Sequence, residues 1–177
     1  MEKILETERL ALRKLTQNDY ADLCKMLQDA AVMYAYEGPF SDAEAHDWLD
    51  RQLGRYAADG FGLWAVILKA TGALIGQCGL TLQDWRDKRV VEIGYLFNKD
   101  FWHKGCATEA AAACKSYAFD VLGVDEVFSI IRDSNAPSRA VAERNGMAVR
   151  DTIVKHYRGV DMPHLVYSAR REGADAL

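Results

Sequence analysis

No run of apolar residues in this 177-residue chain approaches the roughly 20 needed to cross a bilayer. Met1-Glu2-Lys3-Ile4 leads into charge before any signal-peptide core forms. A basic excess is also lacking. The formal net charge is -4 and the pI is near 5.6, which argues against a general nucleic-acid binder without excluding a local basic patch. Cys24, Cys78, Cys106 and Cys114 include no CxxC pair, and the histidines stand at unrelated spacings, so there is no zinc framework and no metal is expected. Reduced thiols in a cytoplasmic protein fit that pattern. Linkers, repeats and low-complexity stretches are missing as well. A chain of this length, half of it hydrophobic, then reads as one domain over residues 1–171, with residues 172–177 as a loose tail.

The pass along the chain predicts elements in the order β-α-α-β-β-β-α-β-α-β-β. Residues 9–15 alternate as a short strand, and Thr16-x-x-Asp19 caps a helix to about Asp29. Ser41-Asp-Ala-Glu44 is a cleaner capping box, followed by an apolar stripe at Ala45, Trp48, Leu49, Leu53, Tyr56 and Ala57. Residues 62–68, 74–82 and 90–97 form an antiparallel meander turned at Thr71-Gly72 and Arg86-Asp87-Lys88. Helical spacing returns from 108 to 122 and is closed by Gly123. A strand at 127–131, a short helix at 135–145 ended by Gly146, and strands at 148–155 and 162–170 complete the chain.

Chemistry concentrates between strand 90–97 and the following helix, in Phe-Trp-His-Lys-Gly-Cys-Ala-Thr-Glu-Ala. The first N–H groups of a helix have no internal partner and sit at the positive end of its dipole, so a phosphate placed there is held by main chain. Gly105 removes the Cβ that blocks close approach, Lys104 adds a mobile charge, and Ala107 keeps the helix entrance narrow. Trp102-x-x-Gly105-x-Ala107 with Thr108-Glu109-Ala110 resembles the acyl-coenzyme-A signature of the GNAT N-acetyltransferases. An aromatic at the first position, where Gln or Arg is usual, is similar to the RimJ/RimL-type branch.

That resemblance implies an α+β fold with a mixed, mostly antiparallel sheet of about seven strands, splayed between the fourth and fifth and flanked by four helices. It implies acetyl-CoA as co-substrate, bound by His103, Lys104, Gly105, Cys106, Ala107 and Thr108. Main-chain groups of Tyr95, Leu96 and Phe97 at the splay would pair with the pantetheine amides, and one N–H would face the thioester carbonyl. Gly94 within that strand marks a bulge or a close approach. Asn135-Ala-Pro-Ser138 and Glu143-Arg144-Asn145-Gly146-Met147 resemble the family's next motif, which makes Asn135 a cofactor contact. Asn135 is equally a helix N-cap. The tyrosine that many members use to protonate the thiolate is replaced by Ala142, so Ser138 is the candidate acid; a hydroxyl that satisfies the first helical turn reads just as well. Glu92 is the candidate base, against the plainer reading of a rim carboxylate.

The expected reaction is direct acetyl transfer to a primary amine in a ternary complex, with a protein N-terminal α-amine as the first acceptor class. An α-amine with a pKa near 8 costs only about 1.4 kcal/mol to deprotonate at neutrality, whereas lysine costs about 4.6 kcal/mol. Tyr34, Tyr36, Glu37, Asp84 and Trp85 are the candidate acceptor contacts, with Tyr36, Glu37 and Trp85 foremost, and 155–158 adds positive charge to the same face. The alternatives are a small-amine acetyltransferase acting on a polyamine, amino acid or aminoglycoside, and a non-catalytic acyl-CoA sensor. Neither a nucleic-acid nor a membrane partner is expected, and the protein would be a monomer or homodimer. Two decoys fall away. Gly60-x-Gly62-x-x-Ala65 follows a helix and opens a strand, the reverse of a dinucleotide turn, and His103-x-x-Cys106 has no further ligands at workable spacing.

Overall fold

The computed structural model of the protein describes residues 3–173. Eight strands, β1 (Lys3–Glu6), β2 (Leu10–Lys14), β3 (Leu63–Leu68), β4 (Leu74–Trp85), β5 (Lys88–Phe97), β6 (Glu126–Arg132), β7 (Ala148–Tyr157) and β8 (Val160–Arg170), form one sheet. Four helices flank it, α1 (Tyr20–Leu27), α2 (Asp42–Ala58), α3 (Cys106–Asp120) and α4 (Ala136–Arg144). The sheet order is β1-β2-β3-β4-β5-β6-β8-β7, antiparallel throughout except for β5 against β6. The eighth strand is β1, four residues on the open edge with an irregular register, too short to carry a legible alternation. The tail expected from residue 172 lies outside the described residues from Ala174 onward. Among the described residues no helix is long and apolar enough to cross a membrane.

Period-2 alternation on β3 divides the core. Trp64 and Val66 face one cluster, where α3 lays Ala110, Ala111, Cys114 and Ala118 on the sheet. Ala65 and Ile67 face the other, built on Leu23, Met26 and Leu27 of α1 and Ala45 and Leu49 of α2. Alanines on α3 let that helix sit close to the strands, which brings its N-terminus to the edge of β5. The α2 capping box forms as expected, with the Glu44 N–H donating to Ser41 Oγ at 3.3 Å and the Ser41 N–H to Glu44 Oε2 at 2.8 Å. Gly123 and Gly146 both take left-handed φ after their helices.

Gly94 is not a bulge. The β4–β5 register runs unbroken from Gly76↔Phe97 to Trp85↔Lys88, with Gly94 opposite Gly79. The tightest backbone approach is at Gly79, where a Cβ would lie 2.1 Å from the Gly62 carbonyl oxygen. At Gly94 the nearest atom to a Cβ is Leu63 Cδ2 at 3.3 Å.

The helix predicted from Thr16 starts as a 3-10 turn at Gln17–Asp19 before α1, and Asp19 anchors it. Its carboxylate accepts both Arg13 Nη groups, at 2.8 and 2.7 Å, and the Thr16 N–H at 2.8 Å. Burial pushes the Asp19 carboxyl up, but Arg13 and Thr16 outweigh it and hold it below the usual carboxylate range. Asp19→Ala strands the Arg13 guanidinium and is expected to cost about 3–5 kcal/mol in urea unfolding at neutral pH. A folded-state pKa below the unfolded one means that this contribution is present above the unfolded pKa and is lost as pH falls through the folded one. The gap between wild type and Asp19→Ala therefore closes in strong acid.

Candidate active site

A 3-10 turn at Lys99–Phe101 leads β5 into the Trp102–Gly105 loop. His103 and Gly105 both take left-handed φ, 58° and 77°, and fold the loop onto the start of α3 with Gly105 as its N-cap. No side chain caps this helix, so the amides of its first turn have no partner among the described residues. The Trp102 indole N–H donates to the Phe97 carbonyl at 2.9 Å, which ties the loop to the end of β5. Arg9 braces the other side. It donates to the Lys104 carbonyl at 2.8 Å and to the Glu109 carboxylate at 2.7 Å, while Glu109 also accepts Thr7 Oγ1. Burial pushes the Glu109 carboxyl up, and Thr7 and Arg9 pull it below its ordinary value. Lys104 curls back to the Asp100 carbonyl at 2.8 Å.

Beside this loop the sheet comes apart. β5 and β6 share one register pair, Glu92↔Phe128, and beyond it each strand keeps its antiparallel neighbour only. Side chains satisfy the first groups past the break. Ser129 Oγ donates to the Ile93 carbonyl at 2.9 Å, and the Ile130 N–H donates to Glu92 Oε1 at 3.0 Å. Thr81 Oγ1 donates to Glu92 Oε2 at 3.2 Å. The free edge of β5 runs on through Tyr95, Leu96 and Phe97. Burial raises the Glu92 carboxyl above the ordinary range despite opposing pulls from Lys155, the Ile130 amide, Thr81 and Arg55.

Tyr95 spans the gap. Its hydroxyl donates to the Ser138 carbonyl at 2.7 Å, and burial raises its pKa far above the usual phenol range. Asn135 caps α4, accepting the Ser138 N–H at 3.3 Å, and the same oxygen accepts the Tyr34 hydroxyl at 2.7 Å. Among the described residues the Ser138 hydroxyl has no hydrogen-bond partner. Ala142 is buried, 2% exposed, and borders a small void with Ile93, Tyr95 and Ser129.

A cavity of about 940 Å³ runs from the loop to the far end of the splay, within the range of small-molecule sites. It is lined by His103, Gly105, Cys106, Ala107 and Thr108 at one end, by Tyr95, Leu96, Phe97, Asn135 and Ser138 along its middle, and by Glu92 and Thr81 beyond. Lys104 does not line it. Tyr36 does, stacked edge-on against Phe40 and Trp48 with its phenol pushed up to about 12 by burial and then by Glu92. Glu37 is committed elsewhere, paired with Arg132 at 2.5 Å, which leaves it poorly placed to take a cationic amine. Trp85 stands outside the cavity on the β4–β5 hairpin, donating to Asp151 at 3.0 Å and packed on Phe128.

Sequence reasoning missed three contributors. Arg9 acts from 95 residues away and has no local signal. Thr81 reads as an ordinary strand residue. Arg55, on the cavity side of α2, was legible: Glu44, Trp48, Arg51 and Arg55 fall on one face at helical spacing and all line the cavity.

The residues at the loop fit an acyl-CoA: a left-handed glycine at an uncapped helix start, an open strand edge and a cavity joining both. YkkB, a curated protein of Bacillus subtilis, is 35% identical over 85% of this chain and 88% of its own length. The FsC-acetyl coenzyme A-N(2)-transacetylase of Aspergillus fumigatus is 31% identical, with 95% of this chain and 76% of its own covered. Among solved structures, RimL, a ribosomal α-N-protein acetyltransferase in complex with coenzyme A, superposes with a TM-score of 0.79 at 16% identity, covering 96% of this chain and 98% of its own. Residues 9–148 match the acetyltransferase (GNAT) domain, and with that match, the splayed sheet and the loop beside it, the chain belongs to the GNAT family of acetyltransferases.

Proposed function

We propose that the protein transfers an acetyl group from acetyl-CoA to a primary amine, with Glu92 as base and Ser138 as the proton donor at the leaving group. One observation carries this reading: a single cavity holds the Gly105 loop at one end and a desolvated carboxyl at the other. When bound, acetyl-CoA supplies an activated acyl group on a thiol leaving group. Amides at the start of α3 would hold its phosphates, and the free edge of β5 its pantetheine amides. Glu92, lifted toward neutrality by burial, is matched to an amine that must lose a proton, directly or through water. Ser138, with its hydroxyl unbound, can deliver a proton toward the departing sulfur. Tyr95 fixes the Ser138 main chain and thereby the start of α4.

A protein N-terminal α-amine, the acceptor class asking least of the base, is the first acceptor reading. A small amine is the second, favoured by how the acceptor end is closed. The α1–α2 loop lines the cavity and is tied across it by Tyr34 to Asn135 and by Glu37 to Arg132, while Arg158 of the β7–β8 turn pairs with Glu44.

Acetyl-CoA at a hundred times its dissociation constant adds about 2.7 kcal/mol of stability, so the melting temperature rises on binding. In Gly105→Glu, bulk and negative charge occupy the phosphate path and the shift disappears; a folded variant that kept it would remove the loop from the site. Glu92→Gln should keep cofactor affinity and lower turnover by about 10² to 10⁴-fold at neutral pH, recovering as pH nears the acceptor's pKa. Because the fold raises this carboxyl, its ionised form is disfavoured above the unfolded pKa, and Glu92→Gln should unfold no more easily than wild type at neutral pH. Rates like wild type at every pH would reject Glu92 as base. A coenzyme A thiolate is a tolerable leaving group, so Ser138→Ala should lose only about ten- to a hundredfold in turnover. Asn135→Ala should weaken cofactor binding and cost about 1 kcal/mol of stability. Normal turnover in Ser138→Ala would assign proton delivery to water or to another side chain.

A further inference from the structure

Among the half-buried basic side chains of the described residues, Lys155 stands apart and Arg55 has the fewest partners of the arginines. Arg13 pairs with Asp19 and Arg132 with Glu37, while Lys115 donates to the Asn145 carbonyl and Arg139 to the Asp133 carbonyl and the Tyr167 hydroxyl. Arg55 and Lys155 have no carboxylate partner among the described residues. Arg55 makes one hydrogen bond, to the neutral Gln52 side chain at 3.0 Å, and Lys155 makes none. Removing a cation from water without a counter-charge is costly, and burial, then Arg51, pull the Arg55 guanidinium below its ordinary pKa.

Both side chains line the acceptor end of the cavity, Arg55 from α2 and Lys155 from β7. No carboxylate forms an ion pair with either among the described residues, although Glu92 and Asp59 act on Arg55 through space and Lys155 acts on Glu92. Glu44 is held by Arg158, Glu37 by Arg132, and Glu92 by Thr81 and the Ile130 amide. Asp47 lines the same cavity but is exposed, one turn from exposed Arg51 on α2. Aromatic rings of Tyr36, Phe40, Trp48 and Tyr157 wall this end, with Phe40 buried and Tyr157 exposed at its rim. Burial raises the Glu92 carboxyl even against the pull of both cations.

We infer that the acceptor amine carries a carboxylate of its own, bound by Arg55 and Lys155 while the amine faces Glu92. This rests on the acetyltransferase reading of the site and names the acceptor's chemistry within it. The carboxylate belongs either to an amino acid or to an acidic residue beside a peptide N-terminus. These sources share one recognition chemistry, and each has its own arm in the test.

Matched pairs differing only in carboxylate against carboxamide serve as probes. β-Alanine with β-alaninamide, and glutamate with glutamine, form the small-molecule arm; Ser-Asp-Ala-amide with Ser-Asn-Ala-amide forms the peptide arm. Each pair is compared in kcat/KM by thiol release from acetyl-CoA, and in Kd by calorimetry on the protein–coenzyme A complex. At least one pair should favour the carboxylate by about 10- to 100-fold in both readouts. Lys155→Met, which keeps the apolar stem, should bring that ratio down by about tenfold, and Lys155→Glu should bring it below one. Using the ratio within one variant cancels any change these substitutions make to Glu92. Absence of turnover with the binding preference intact would sink the acetyltransferase reading and support this inference. Acetylation with equal rates for both members of every pair, or a preference that survives in Lys155→Glu, overturns the inference and leaves that reading standing. No preference in either readout overturns it as well.

Discussion

The site depends on one interruption of main-chain pairing. β5 and β6 meet at Glu92↔Phe128 and then part, which leaves strand edges in the middle of a sheet where each unpaired N–H or C=O would normally cost free energy. The protein closes the accounts locally with Ser129 on the Ile93 carbonyl and Glu92 on the Ile130 amide. The candidate base is therefore also the group that ends the parallel pairing. Its position follows from where the sheet opens, and its raised pKa follows from the burial that the opening imposes.

The rest of the architecture serves that gap. Small residues on α3 let the helix lie against the sheet and present its uncapped N-terminus at the mouth of the splay. α4 starts across the gap, held by Tyr95 from β5 and by Tyr34 from the α1–α2 loop. Exposed ion pairs such as Arg9–Glu109 contribute little to global stability, so their value lies in geometry: Arg9 keeps the Lys104 carbonyl, and with it the Gly105 loop, in one place.

Much of this was legible in the sequence because the signals were local. Capping boxes, terminal glycines and strand alternation set the elements, and the glycine loop ahead of a helix marked the candidate phosphate end. What escaped depended on long-range contact. β1 is a short edge strand without pattern. Glu37 looked like a free acidic loop residue until Arg132, nearly a hundred positions on, claimed it, and Trp85 sits on the hairpin outside the cavity. Gly94 suggested a bulge or a close approach; the register there is unbroken, the tightest backbone contact lies at its partner Gly79, and Gly94 itself lines the cavity. Lys155 and Arg55 gain meaning only together, since a basic residue without a carboxylate partner is recognisable only once all neighbours are known.

The most direct test of the central claim is a site-resolved titration of the Glu92 carboxyl by carbon NMR, with Glu92→Gln to assign the signal. The splayed, desolvated site predicts a midpoint above the ordinary carboxylate range in the ligand-free protein. A midpoint at or below that range would contradict it, leaving Glu92 an ordinary ionised strand residue that ends the β5–β6 pairing without being poised to accept a proton.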